Sequence, residues 1–247
     1  ITLGYTVKTP KTALSRYCQK ISRLSAAFSF TSEIAMMTLG GALKRKDRVL
    51  ASLGDAMSHL YIASAVIKYY EHYEQQASEK PLAEWALQYS LYHTQEALYD
   101  FYQNFPNAIV GKLMRLKCFP FGRSFKKPND QLDHKVADTM QEDNPLRERF
   151  KEYFGFSDDD NYAKMEAARD AVIATKPLQQ RIKDAVKESK IDKLTPIEQT
   201  SEQAISLGIL SDEEAVQLQQ AEKMRWEMIQ VDEFDANLTK VTNPEEA

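Results

Sequence analysis

No acidic residue falls between Phe101 and Asn129, although the whole chain carries 36 Asp+Glu against 32 Lys+Arg. That stretch holds Lys112, Arg115, Lys117, Arg123, Lys126 and Lys127 among Val110, Leu113, Met114, Leu116, Phe119, Phe121 and Phe125. Without these six cations, the net charge of −4 would become about −10, so the basic charge is segregated rather than diffuse. Cysteine is almost missing. Cys18 and Cys118 fit no metal spacing and no disulfide framework, so they read as buried free thiols in a reducing compartment. Only eight Gly and nine Pro in 247 residues argue against a loop-rich or all-β architecture. The longest apolar run, Leu60 to Ile67, is too short to cross a bilayer. An isoelectric point near 5.7 argues against a general nucleic-acid binder. The chain begins at Ile1 with neither an initiator Met nor a signal-peptide core, and so reads as a piece of a longer protein.

What is present is helical. Thr9-Pro10 reads as an N-cap and first-turn proline, opening a helix that stops at Gly40-Gly41. A second helix, Ala42 to Tyr73, repeats Val49, Leu53, Ala56, Met57, Leu60, Ser64 and Ile67 at three- and four-residue steps. A third runs from about Pro81 to Asn104, with Trp85, Tyr89, Tyr92, Tyr99 and Tyr102 as a core-facing stripe. Long helices on short connections pack antiparallel. A short helix follows from Ala108 to Lys117. The loop Phe119-Pro-Phe-Gly-Arg-Ser-Phe-Lys-Lys-Pro128 then leads to a helix at Asp130 to Gln141.

Glu142 to Asn161, with its run Asp158-Asp159-Asp160, reads as a polar linker. Beyond it, Thr195-Pro-Ile-Glu198 and Ser211-Asp-Glu-Glu214 are capping boxes, Gly208 is a stop, and Asn237 to Ala247 is a frayed tail. The expected fold is all-α. An antiparallel bundle of long helices fills 1–141, a linker 142–161, and a smaller helical subdomain 162–247.

Catalytic motifs are absent. A di-iron bundle needs Glu three residues before each His ligand, and the four positions hold Ala56, Tyr69, Ser90 and Gln131. Asp55 with His59, and His134 with Asp138, read as helix-surface hydrogen bonds. There is no phosphate-cradling Gly-rich loop and no nucleophile elbow. The run Lys44-Arg-Lys-Asp-Arg48 opposes the dipole at a helix start and reads as a solvated end. Candidate contacts with an anionic surface are Lys112, Arg115, Lys117, Phe119, Phe121, Arg123, Phe125, Lys126 and Lys127. A basic loop packing its aromatics inward and pairing with this chain's own acids is the alternative.

An ordered set of segments resembles the C-terminal region of the long bacterial acyl-CoA dehydrogenases of fatty-acid β-oxidation. These are Leu39-Gly-Gly-Ala-Leu-Lys-Arg-Lys-Asp-Arg48, Leu53-Gly-Asp-Ala-Met-Ser-His-Leu-Tyr-Ile-Ala-Ser-Ala-Val66, Gln103-Asn-Phe-Pro-Asn107, Phe119-Pro-Phe-Gly-Arg123, Leu132-Asp-His-Lys-Val-Ala137 and Val231-Asp-Glu-Phe234. The resemblance implies an enzyme that uses FAD to oxidise long-chain acyl-CoA to the trans-2-enoyl-CoA, with a glutamate base and a flavin hydride acceptor. In that family the flavin site and base lie upstream, so the resemblance implies no catalytic, cofactor-binding or metal residue here. It implies a helical accessory domain whose partners are the catalytic body, a homodimer or an anionic membrane, in the bacterial cytoplasm or peripheral on the inner membrane. By the same resemblance, Asp133 and His134 tie the basic loop to the next helix. The rival readings are a free-standing helical adaptor and a small acyl-CoA- or flavin-binding enzyme.

Overall fold

The computed structural model describes residues 13–73, 76–154, 160–191 and 196–231. Within these residues the regular structure is all helical, without a strand. It divides into two compact units, Ile1–Arg149 and Phe150–Ala247.

The first unit is built on α1 (Ser15–Leu39), α2 (Asp47–His72) and α3 (Lys80–Asn104). Direction follows from the contacts. The Gln88 amide donates to Tyr17 Oη, and Thr31 meets Tyr102, an offset of 71 residues in both cases, so α1 and α3 run parallel. The α2 helix runs against both, because His59 stacks on His93 while Tyr70 and Ala83 share a core cluster at the α2–α3 turn. Of these three, helices consecutive in the chain run antiparallel, as the helical pattern implies, and α1 and α3 meet in parallel.

Local chemistry explains most boundaries. Gly40, at φ +48°, ends α1 where only glycine sits without strain. The next segment corrects the sequence reading: Gly40–Arg45 is a 3-10 turn, and α2 starts at Asp47 rather than Ala42. Lys44, Arg45 and Lys46 are thereby kept out of the positive helix end, and Asp47 occupies the first turn. Pro81 stands in the first turn of α3 as expected. The Thr9-Pro10 cap lies outside the described residues.

The buried face of α2 is Val49, Leu53, Ala56, Leu60, Ala63, Ile67 and Tyr70, an unbroken alternation of four- and three-residue steps. Such a seam is the narrow stripe of coiled-coil packing. Met57 and Ser64, expected on this face, are exposed. With Leu50, Tyr61 and Ile62 also outside, α2 is long and apolar enough by composition to cross a membrane; its seam nonetheless packs along α3 as a bundle helix does. The stripe on α3 also divides. Tyr99 and Tyr102 are core, Trp85 and Tyr92 are half-buried, and Tyr89 is exposed.

After α3 come α4 (Ala108–Cys118), α5 (Asp130–Gln141) and α6 (Pro145–Phe154). The α6 helix lies in the stretch expected as a polar linker. Asn144 caps it, accepting from Arg147 N at 3.0 Å, with Pro145 as its first residue. Leu146 is buried, and Arg149 pairs with the buried Glu79 and lies 4.0 Å over the Tyr73 ring. The two units therefore divide inside that stretch.

The second unit holds α7 (Asp160–Ala174), α8 (Lys176–Lys187), α9 (Ile197–Ser206) and α10 (Asp212–Ile229). Leu178, Ala185, Ile191, Ala204, Leu210 and Leu218 form its core. Both hydrogen bonds of the Ser211/Glu214 capping box are made, and Gly208 at φ +67° stops α9. The Thr195 capping box, Asp158-Asp159, Asp232 to Phe234 and the tail lie outside the described residues.

Candidate anionic-surface site

The basic segment divides into a helix and a pinned loop. Asn107 starts α4, its side chain accepting from Ile109 N and Val110 N at 3.0 and 3.2 Å. Gly111, Met114 and Cys118 face inward at helical spacing. Gly111 lets α4 press onto the end of α3: a Cβ there would lie 2.4 Å from the Tyr102 carbonyl oxygen. Turning those three inward forces Ile109, Leu113 and Leu116 outward, and they are 71%, 61% and 60% exposed. At 100° per residue, Lys112 and Arg115 flank this stripe on one side and Lys117 on the other. These three cations make no ion pair among the described residues.

The loop is held by Gln95, a fully buried side chain of α3. Its Oε1 accepts from Ser124 N at 2.7 Å and Phe125 N at 3.0 Å, and its Nε2 donates to the Phe125 carbonyl at 3.2 Å. This clamp sorts the loop side chains. Phe119 is buried at 3% exposure, packed on Tyr99 and Tyr102, while Phe125 packs against the same core. Arg23 lies over both rings at 5.8 and 5.5 Å. Arg123 donates its Nε–H to Glu96 at 2.8 Å and stacks on Tyr99 at 4.2 Å. Lys127 sits 5.3 Å over Tyr92, whereas Phe121 is 81% exposed.

The nine sequence-selected residues thus part company. Lys112, Arg115, Lys117, Phe121 and Lys126 share the outer surface. Arg123 and Lys127 are exposed too, each lying over an α3 aromatic, whereas Phe119 is corrected to core and Phe125 is half-buried against it. Sequence reading missed Ile109, Leu113 and Leu116 as an outward stripe. Their i, i+4, i+7 spacing was visible, but not which side of α4 was covered.

Other groups expected to interact do so differently. Asp133 accepts the Trp85 indole N–H at 2.6 Å, tying α5 to α3, and His134 Nδ1 meets its own helix at Asp130 O. Buried His59 Nδ1 has no hydrogen-bond partner among the described residues, Asp55 included. Cys18 and Cys118 are free and half-buried. Burial raises both thiols above the usual range, opposite to what a nucleophile needs. No three metal-ligating side chains converge among the described residues.

A flavin site for α-proton abstraction pairs a carboxylate base with room for the isoalloxazine. The grooves beside α4 do not fit that demand, since neither is lined by an acidic residue. No step through a flavin follows from these residues.

The fold defines a class: an all-α helical domain, here with an exposed apolar stripe bordered by cations on α4. The family model for the C-terminal domain of bacterial-type acyl-CoA dehydrogenase matches residues 1–234, and the chain belongs to that family. Such a domain is associated with the rest of its dehydrogenase. No solved structure matches the chain.

Proposed function

We propose that this chain is the association domain of an FAD-dependent long-chain acyl-CoA dehydrogenase of β-oxidation. Its active site and flavin lie elsewhere in the enzyme, and α4 holds the assembly against an anionic membrane face in the bacterial cytoplasm. The observation that supports the reading is the exposed Ile109–Leu113–Leu116 stripe, bordered by cations that make no ion pair among the described residues. Each Lys or Arg near an anionic surface contributes about 1 kcal/mol. Lys112, Arg115, Lys117 and Lys126 alone would therefore give a dissociation constant near millimolar. Apolar insertion decides whether binding is useful, and the stripe with Phe121 supplies it.

The test is co-sedimentation with phosphatidylglycerol vesicles at low and high salt. Binding should be salt-sensitive and should fail in Leu113→Asp, whose thermal stability should match the parent because Leu113 is exposed. No binding at low salt, or unchanged binding by Leu113→Asp, would overturn the membrane reading. The purified chain should also show no visible flavin absorbance and no dehydrogenase activity.

A further inference from the structure

On the Lys112 side of α4, a groove of about 350 Å³ opens between α3, α4 and the pinned loop. Tyr99, Tyr102, Gln103, Lys112, Arg115 and Arg123 line it, and no acidic residue does. We propose that this groove is a phosphate-binding pocket.

Its cations are positioned, not merely numerous. Arg123 is fixed by its stack on Tyr99 at 4.2 Å, and Glu96 takes its Nε–H alone. Both terminal guanidinium nitrogens stay without a hydrogen bond among the described residues. Gln95 fixes the backbone of Ser124 and Phe125, which carries Arg123. Lys112 and Arg115 stand three residues apart on a helix locked to α3 by the close approach at Gly111. Glu96 is the counter-charge of Arg123, but Lys112 and Arg115 have none among the described residues, and an anion entering the groove would relieve their mutual repulsion. A phosphate monoester carries about two negative charges and three acceptor oxygens, and a phosphodiester headgroup one charge shared by two free oxygens. The monoester matches three cationic donors on separate stems better than a carboxylate, and arginine suits it by its planar fork. Lys117, on the other flank of α4, carries the same charge and does not line the groove.

The phosphate could be a lipid headgroup or a soluble ester, and the experiment separates these. Inorganic phosphate is titrated calorimetrically into the 247-residue chain, with chloride at equal ionic strength as the reference. Saturable binding should weaken about tenfold in Lys112→Gln and in Arg115→Gln. It should be unchanged in Lys117→Gln. No saturable binding, or equal weakening in all three, would overturn the pocket and leave only diffuse surface charge. The second arm repeats the three variants on phosphatidylglycerol vesicles. Larger losses for Lys112→Gln and Arg115→Gln than for Lys117→Gln assign the pocket to lipid phosphate. Equal losses on vesicles, with the difference kept in the phosphate titration, assign it to a soluble ester. Vesicle binding without phosphate binding would sink the pocket alone and leave the membrane reading standing.

Discussion

Replacing Gly111 by alanine sets helix propensity against a backbone clash, and the structure says which wins. Glycine inside a helix costs about 1 kcal/mol relative to alanine, so propensity alone predicts a gain of that size. The added Cβ, however, would sit 2.4 Å from Tyr102 O and 3.3 Å from Phe105 Cβ, where ordinary contact begins at 3.4 Å. The helix must retreat by about 1 Å, because Tyr102 is buried and its hydroxyl is bonded to Thr31 at 2.8 Å. Overpacking of this kind costs typically 1–3 kcal/mol, and the retreat also loosens buried Met114. The net expectation is a loss of up to about 2 kcal/mol. Gly54→Ala is the internal control, since its Cβ meets open space on exposed α2, and it should gain up to about 1 kcal/mol. Urea unfolding read by Trp85 fluorescence, in a Trp226→Phe background, reports the first unit alone. Gly111→Ala at or above the parent, or Gly54→Ala clearly below it, would refute the reasoning.

Two further outcomes follow from the same geometry. Gln95→Leu removes three hydrogen bonds to the loop and should cost about 2–4 kcal/mol, with faster tryptic cleavage after Arg123 and Lys126; unchanged cleavage would show that Gln95 does not hold the loop. Burial first, then neighbouring His93, pushes His59 below the ordinary imidazole value, against the pull of Asp55 one turn away; Tyr89 also packs on the ring. The unfolded chain then takes up the proton more readily than the fold. Stability falls as pH drops below the unfolded value of about 6.5, and the loss levels off below the folded pKa. His59→Gln should flatten that fall in urea titrations between about pH 7 and 5, and an unaltered slope would count against it.

How far the candidate site was legible is clearest in the loop from Phe119 to Asn129. Its lack of acid and its basic-aromatic content are plain in the chain. Which phenylalanine turns inward is not, because a loop has no periodicity to assign faces. Buried Gln95, about thirty residues away, makes that choice through two backbone N–H groups and one carbonyl. On α4 the period was readable, but a stripe of Ile109, Leu113 and Leu116 competes with one of Val110, Met114 and Cys118. The Gly111 face is the one that can approach α3 closely, which puts Met114 and Cys118 inward with it.

Taken alone, the sequence determined what depends on neighbours within a few residues. Proline in the first turn of α3, glycine after α1 and α9, and the Ser211/Glu214 box all act over one turn, so they work wherever the helix is placed. It also determined the charge segregation, which is a property of order along the chain. Tertiary structure decided the choices between equally apolar faces. It set the α2 seam through Ala63 and Tyr70 rather than Ser64 and Met57, placed a helix where polarity suggested a linker, and turned Leu113 and Leu116 outward. Burial is a relation between surfaces, and local pattern can propose a face but cannot supply the partner that covers it.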